Sequence, residues 1–243
     1  MGDEIVGRSR GGSWIVQHAA SEEHRRTWEA GGFHDDLGDA LAAAFAEPVA
    51  LHWVLDDVEH VDIWVVPPND RRACRTLVTA GMSDKPMTVP DGYGEPPRLE
   101  LTLSLPANWT LTEQTIASER VFWPVRLLRN LALYPRRYAT FLDVTHTVPN
   151  GDEPEPYALN TTMLCALIGP SPFTGTDTAT VRGSDGRLVQ FASVIPIYRD
   201  EMEYKLAHGA AALFERLRAA GVTDVLDVKR RSVCRAKRFG FFS

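Results

Sequence analysis

The sequence predicts an α+β fold, with mixed β-sheets packed against helices, on three observations. Period-two alternation recurs through the middle of the chain, most clearly where Leu99, Leu101, Leu103 and Leu105 alternate with Glu100, Thr102 and Ser104. Helical stripes with caps stand on either side of these strands. The elements come in the order helices, strands, helix, strands, helix, with no internal repeat and no linker long enough to separate two independent domains.

Residues 1–20 read as a mobile N-terminal arm, Gly- and Arg-rich over its first 13 residues. Ser21–Ala30 fits a helix capped by Ser21 and ended by Gly31-Gly32. A second helix starts at Asp35 or Asp36, carries Leu37, Leu41, Ala44 and Phe45 on one face, and stops at Pro48. Val49–Leu55 and His60–Val66 follow as strands, and Pro67-Pro68-Asn69-Asp70 as a turn. Cys74–Ala80 and Leu99–Leu105 are the next strands. By propensity alone the Leu-rich second one suits a helix; its spacing and flanking prolines favour a strand.

Trp123-Pro124 opens a helix, with Pro124 near its first position, where a missing N–H costs nothing. Leu127, Leu128 and Leu131 form its buried stripe, and Pro135 restarts the chain into a short helical turn. Thr162–Ile168 and Leu188–Tyr198 are the late strands. One last helix follows, capped by Asp200 and Glu203, with Met202, Leu206, Leu213 and Leu217 on one face and Gly221 at its end. Residues 21–227 are thus expected to form a single domain, and 228–243 a basic, aromatic tail.

Composition narrows the class of function. The chain has 243 residues, 44% of them hydrophobic and 24% charged, which suits a globular protein. No apolar run is long enough to span a membrane, and the first residues lack a secretion signal, so a cytoplasmic location is expected. Cys74, Cys165 and Cys234 are widely spaced and read as reduced thiols. The net charge is -6, yet six bases and no acid follow Asp227, so residues 1–227 carry 20 bases and 32 acids. An acidic body with a short basic tail does not suit nucleic-acid binding. The tail's Phe239, Phe241 and Phe242 are expected to fold back on the body or on an oligomer partner.

Catalytic signatures are missing: no G-x-S-x-G, no P-loop, no H-E-x-x-H and no dinucleotide fingerprint. Gly92-Tyr93-Gly94 reads as loop punctuation. His52 and His60, with Asp62 near, could approach each other across paired strands as a metal site; strand histidines more often sit at an edge or are satisfied in the core, and no metal or other cofactor is expected. A base at His146, near Tyr134 and Asp143, is the alternative enzyme reading, but no recognisable nucleophile accompanies it. A structural subunit that self-associates through the aromatic tail is a further alternative.

One series of segments is more informative. Val61–Pro68 leads into Thr76–Met87 with its Gly81-Met82-Ser83-Asp84. Leu99-Glu100-Leu101, Trp123–Leu128, His146–Gly151, Ile195–Tyr198, Glu201–Lys205 and Gly209 follow in order. This series resembles the Suppressor of fused domain family in its bacterial form, over about residues 37–227. The Gly-Met-Ser-Asp segment and the Trp123-Pro124 pair before a Leu-rich helix are its most specific pieces. Gly81 after a strand suits a positive φ or a close approach; Ser83 and Asp84 can bond the loop backbone.

The resemblance implies a protein-binding module of α+β fold, not an enzyme. Animal members clamp an extended peptide of the Gli transcription factors, which adds a strand between sheets. Tyr134 matches a family tyrosine near that groove and His146 a family histidine beside it. The aspartate that pairs with the Gli peptide falls on Thr145, which argues against the same ligand. Animal members also carry a further C-terminal domain. Bacterial relatives are thought to include immunity proteins of polymorphic toxin systems. The resemblance therefore implies an immunity or regulatory protein that binds a protein partner, such as a toxin domain, through Tyr134, Thr145 and His146.

Overall fold

The computed structural model describes residues 4–8, 14–17, 49–51, 61–95, 97–112, 115, 117–172, 180–182, 186 and 188–235. The two helices expected over 21–30 and 35–47, and His52, His60, Phe239, Phe241 and Phe242, lie outside them. Within the segment expected as an arm, β1 (Glu4–Arg8) and β2 (Trp14–Gln17) pair antiparallel.

Among the described residues, the body is built on one mixed sheet of eight strands. Its order is β3 (Val49–Leu51), β4 (Asp62–Val66), β5 (Cys74–Ala80), β6 (Leu99–Pro106), β10 (Leu188–Ile197), β8 (Cys165–Gly169) and β7 (Thr147–Pro149), with β9 (Thr180–Arg182) pairing β10 off that path. Strands β3 to β6 form an antiparallel meander. The join between β6 and β10 is parallel, Gln190 standing opposite Leu99 and Ser193 opposite Thr102. Beyond Thr102 the chain past the last helix takes over: Val225 bridges Ser104, and the Leu226 N–H donates to the Ser104 carbonyl at 2.8 Å.

The predicted alternation in β6 places all four leucines in the main core, together with Ile63, Val65, Leu77 and the helix α1 (Glu119–Arg137). Its polar residues are buried as well. Ser104 reaches Asp224 at 2.6 Å, and Arg72 pairs with the same carboxylate at 2.6 Å. A second, smaller core of Leu164, Cys165, Leu167 and Ile197 is covered by Leu213 and Leu217 of the last helix. Cys74 and Cys165 are buried free thiols, and Cys234 is a half-buried one. Among the described residues, no helix is long and apolar enough to cross a membrane.

Two helix readings need correction. Helix α1 begins at Glu119, so Pro124 lies inside it, and it continues through Pro135. Pro124 removes the N–H that would bond the Arg120 carbonyl. That carbonyl instead accepts from the Asn160 side chain at 2.9 Å. The single C-terminal helix is two: α2 (Arg199–His208) and α3 (Ala210–Ala219), broken at Gly209, whose φ is 89°. The N-terminal cap of α2 is made by Glu201, which accepts from the Tyr198 N–H at 2.9 Å, rather than by Asp200 and Glu203. Gly221, with φ 72°, does end the helical pair.

The face α2 buries also differs from the expected apolar stripe. Glu201 and Lys205 are inside, while Met202 and Leu206 are half-exposed. Glu201 survives there because Arg230 pairs with it bidentately at 2.6 and 2.7 Å. The Val233 N–H adds a bond at 2.9 Å. Arg230 also donates to the Pro196 carbonyl at 3.0 Å, and its own carbonyl accepts from the Tyr198 hydroxyl. Of the bases after Asp227, Arg230 is therefore fastened to the body.

Candidate functional site

The Gly81-Met82-Ser83-Asp84 segment surrounds a carboxylate. After β5 the chain makes a 3-10 turn over Met82–Asp84, entered through Gly81 with φ 110°. The positive φ expected there is present. The turn directs backbone N–H groups at Glu100, whose burial is complete. Glu100 Oε1 accepts from the Gly81 N–H at 3.1 Å, the Ser83 N–H at 3.0 Å and the Ser83 hydroxyl at 2.6 Å. Oε2 accepts from the Thr79 hydroxyl at 2.6 Å. The ladder between β5 and β6 gives way here, and the Leu101 N–H bonds the Thr79 hydroxyl at 2.8 Å.

Cations support this turn from outside. Arg136, near the end of α1, donates to the Gly81 and Met82 carbonyls. Arg98 donates to the Ser83 carbonyl at 3.0 Å. The Met82–Ser83 peptide thus has a guanidinium on its oxygen and a carboxylate on its N–H. Burial pushes the Glu100 carboxyl up to about 7, against the pull of its four donors. Sequence reasoning places Glu100 on the polar side of an alternating strand and within one segment of the family resemblance, without a role for its carboxylate. The available signal was Thr79, Gly81 and Ser83, three donors at period-two spacing that end the neighbouring strand.

Trp123 is buried in the main core, and Pro124 beside it is buried as well. The Trp123 ring lies parallel to Tyr157, with centroids 5.3 Å apart and planes 3° from parallel.

Tyr134, Thr145 and His146 occupy the end of α1 and the corner that leads into β7, an edge strand among the described residues. Tyr134 packs against the main core and its ring meets Tyr138 at 4.7 Å. Thr145 is exposed with φ 82°, a left-handed conformation that a β-branched residue adopts only under constraint. The constraint is backbone pairing: the Thr145 N–H donates to the Ile168 carbonyl and the Ile168 N–H to the His146 carbonyl, each at 2.8 Å. His146 is half-buried, and its Nδ1 accepts from the Asp143 backbone N–H at 3.3 Å. The Asp143 carboxylate accepts instead from the Val144 N–H at 2.7 Å and the Tyr93 hydroxyl at 2.7 Å. Base and carboxylate therefore do not stand as a catalytic dyad orients them.

A cleft under residues 222–227 is lined by Met163, Ile195, Pro196 and Leu226, and has room for about one water molecule. That is too little for a substrate. Among the described residues, no three His, Cys, Asp or Glu side chains are grouped to hold a metal.

The fold has solved counterparts. A SUFU (suppressor of fused protein) homologue from Neisseria gonorrhoeae FA 1090 superposes with a TM-score of 0.57 at 17% identity, covering 84% of this chain and 97% of the other. The Sufu of a Sufu–Fu complex does so at 0.55 and 15%, covering 83% and 90%. Drosophila Suppressor of Fused gives 0.54 at 15% identity; the match covers 83% of this chain and 50% of that longer one. No curated protein matches in sequence. The model of the Suppressor of fused protein (SUFU) family matches residues 57–231, a span that holds the Gly81 turn, helix α1, the Thr145 corner and Arg230. The chain belongs to the Suppressor of fused family.

Proposed function

We propose that this chain is a non-catalytic protein-binding module, acting in the bacterial cytoplasm as an immunity or regulatory protein that binds and inhibits a protein partner such as a toxin domain. Family membership supports the binding role, and one similar structure is that of a Sufu–Fu complex. The observation that carries the reading is the corner at Thr145 and His146. It stands beside β7, the last strand of the sheet among the described residues, and holds a β-branched residue at φ 82°. Backbone strain of this kind persists where the surrounding structure over-determines it, and it clusters at binding sites. An edge strand can accept an extended partner segment by strand addition. Tyr134 supplies a rigid amphipathic anchor of the kind enriched at hot spots.

The test starts with capture of a partner from the native host, followed by co-expression with the captured toxin domain. Rescue of growth is the expected result. Tyr134→Ala combined with His146→Ala is expected to weaken capture by at least ~2 kcal/mol, with the melting temperature near that of the parent. Loss of stability with unchanged affinity in the folded fraction would assign both side chains to packing instead.

A further inference from the structure

We infer that the Asp91–Glu95 loop and the Phe141–His146 corner form a docking face for a cationic side chain, an arginine in an extended segment of the partner, with the Tyr93 ring as platform and the Asp143 carboxylate as anchor. This rests on the protein-binding reading above and names the chemistry that the site selects.

The loop is shaped to present Tyr93. Gly92 and Gly94, on either side of it, have φ of 83° and 98°. Beyond the adjoining residues of the chain, no atom lies within 4 Å of where a Cβ would stand on either glycine. These glycines therefore serve the path of the backbone and not close packing. A turn closed by the Tyr93 N–H on the Pro90 carbonyl at 3.1 Å fixes the approach. The Tyr93 side chain is 43% exposed and is the one large aromatic left exposed among the described residues.

Exposed as it is, the ring is held at both ends. Its hydroxyl donates to Asp143 Oδ2 at 2.7 Å. Its ring meets Phe141 at 4.6 Å, and Phe141 meets His146 edge-on at 5.0 Å. Burial and the Asp143 carboxylate push the phenol up to about 12, so it keeps its proton and goes on donating. A tyrosine ordered in advance loses little entropy on binding.

Charge then selects the occupant. Asp91 and Glu95 flank Tyr93 in sequence, and both are exposed. The Asp143 carboxylate has one donor on each oxygen, and a carboxylate has acceptor sites for about four. A guanidinium suits this arrangement better than an ammonium, because its plane stacks on the ring while its edge bonds a carboxylate.

The experiment uses the full chain, immobilised and panned against phage-displayed random 12-residue peptides. Enriched peptides are expected to carry an arginine. In solution, Tyr93→Ala and Asp143→Asn are each expected to weaken the selected peptide at least tenfold, as is replacement of its arginine by alanine, while both variants melt within a few degrees of the parent. Tyr93→Phe is expected to keep most of the binding, because the ring remains. Enriched peptides without a basic residue, or equal binding by the variants, would overturn the inference and leave the binding reading standing. Failure to enrich any peptide would count against both.

Discussion

The Asn160 amide donates to the Arg120 carbonyl at 2.9 Å, replacing the helical bond that Pro124 cannot make. The two residues are far apart in sequence, and the bond ties the loop before β8 to the first turn of α1. Removing the amide leaves a carbonyl that water can partly serve, so Asn160→Ala is expected to cost about 1 kcal/mol in chemical denaturation. In a Pro124→Ala background the helix regains the missing N–H, and the same substitution is expected to cost much less. Equal costs in both backgrounds would show that the bond does not act through the proline.

Glu100 links stability to pH. Its folded pKa of about 7 lies above its ordinary value of 4.5, so the folded state holds the proton more tightly. The resulting stabilisation is fully present below the ordinary carboxylate range and is lost as pH rises through about 7. The Ser83 and Thr79 hydroxyls can turn from donor to acceptor, so the protonated form keeps its bonds. Comparing the parent with Glu100→Gln isolates this group from the rest. The parent's advantage is expected to fall by about 2–3 kcal/mol between pH 5 and pH 8. A difference that does not change with pH would rule out titration at Glu100 in that window.

Gly81 stands at φ 110°, where any Cβ is strained. Gly81→Val is expected to lower the melting temperature by several degrees, and Gly81→Ala by less. A melting curve unchanged in the valine variant would show that the turn can be entered in another conformation.

Arg230 and Glu201 are 9% and 0% exposed. Breaking such a pair from one side leaves a buried charge, so Arg230→Met is expected to cost about 3–5 kcal/mol. Glu201→Gln together with Arg230→Met is expected to recover a good part of that loss. A double variant as unstable as the single one would place the contribution in Arg230's bond to the Pro196 carbonyl.

The strands were legible because local spacing carries their signal. Cys74–Ala80 and the Leu-rich strand from Leu99 were read at nearly their observed bounds. Helix α1 was misread at both prolines because what repairs Pro124 is Asn160, which no local window contains. The break at Gly209 was missed because the apolar residues on either side of it continue one helical pattern. At α2 the apolar stripe through Met202 and Leu206 does not mark the buried face: Glu201 and Lys205 are inside, Glu201 because Arg230 comes back to meet it. Within the proposed site, Tyr134 and His146 follow from the resemblance and Asp143 from its nearness to His146 in sequence, whereas the bond of Tyr93 to Asp143 joins two loops that no local window contains.

Strand β10 has a consequence for how the protein is made. Among the described strands it alone joins the meander β3–β6 to β8, and its parallel partner β6 lies on the far side of α1, β7 and β8 in sequence. Parallel pairing needs a long crossover, and closing one this long is slow. On the ribosome, β6 therefore emerges long before β10, with one edge of its leucine-rich strand unmatched. The nascent chain must be kept from pairing with its neighbours throughout that interval.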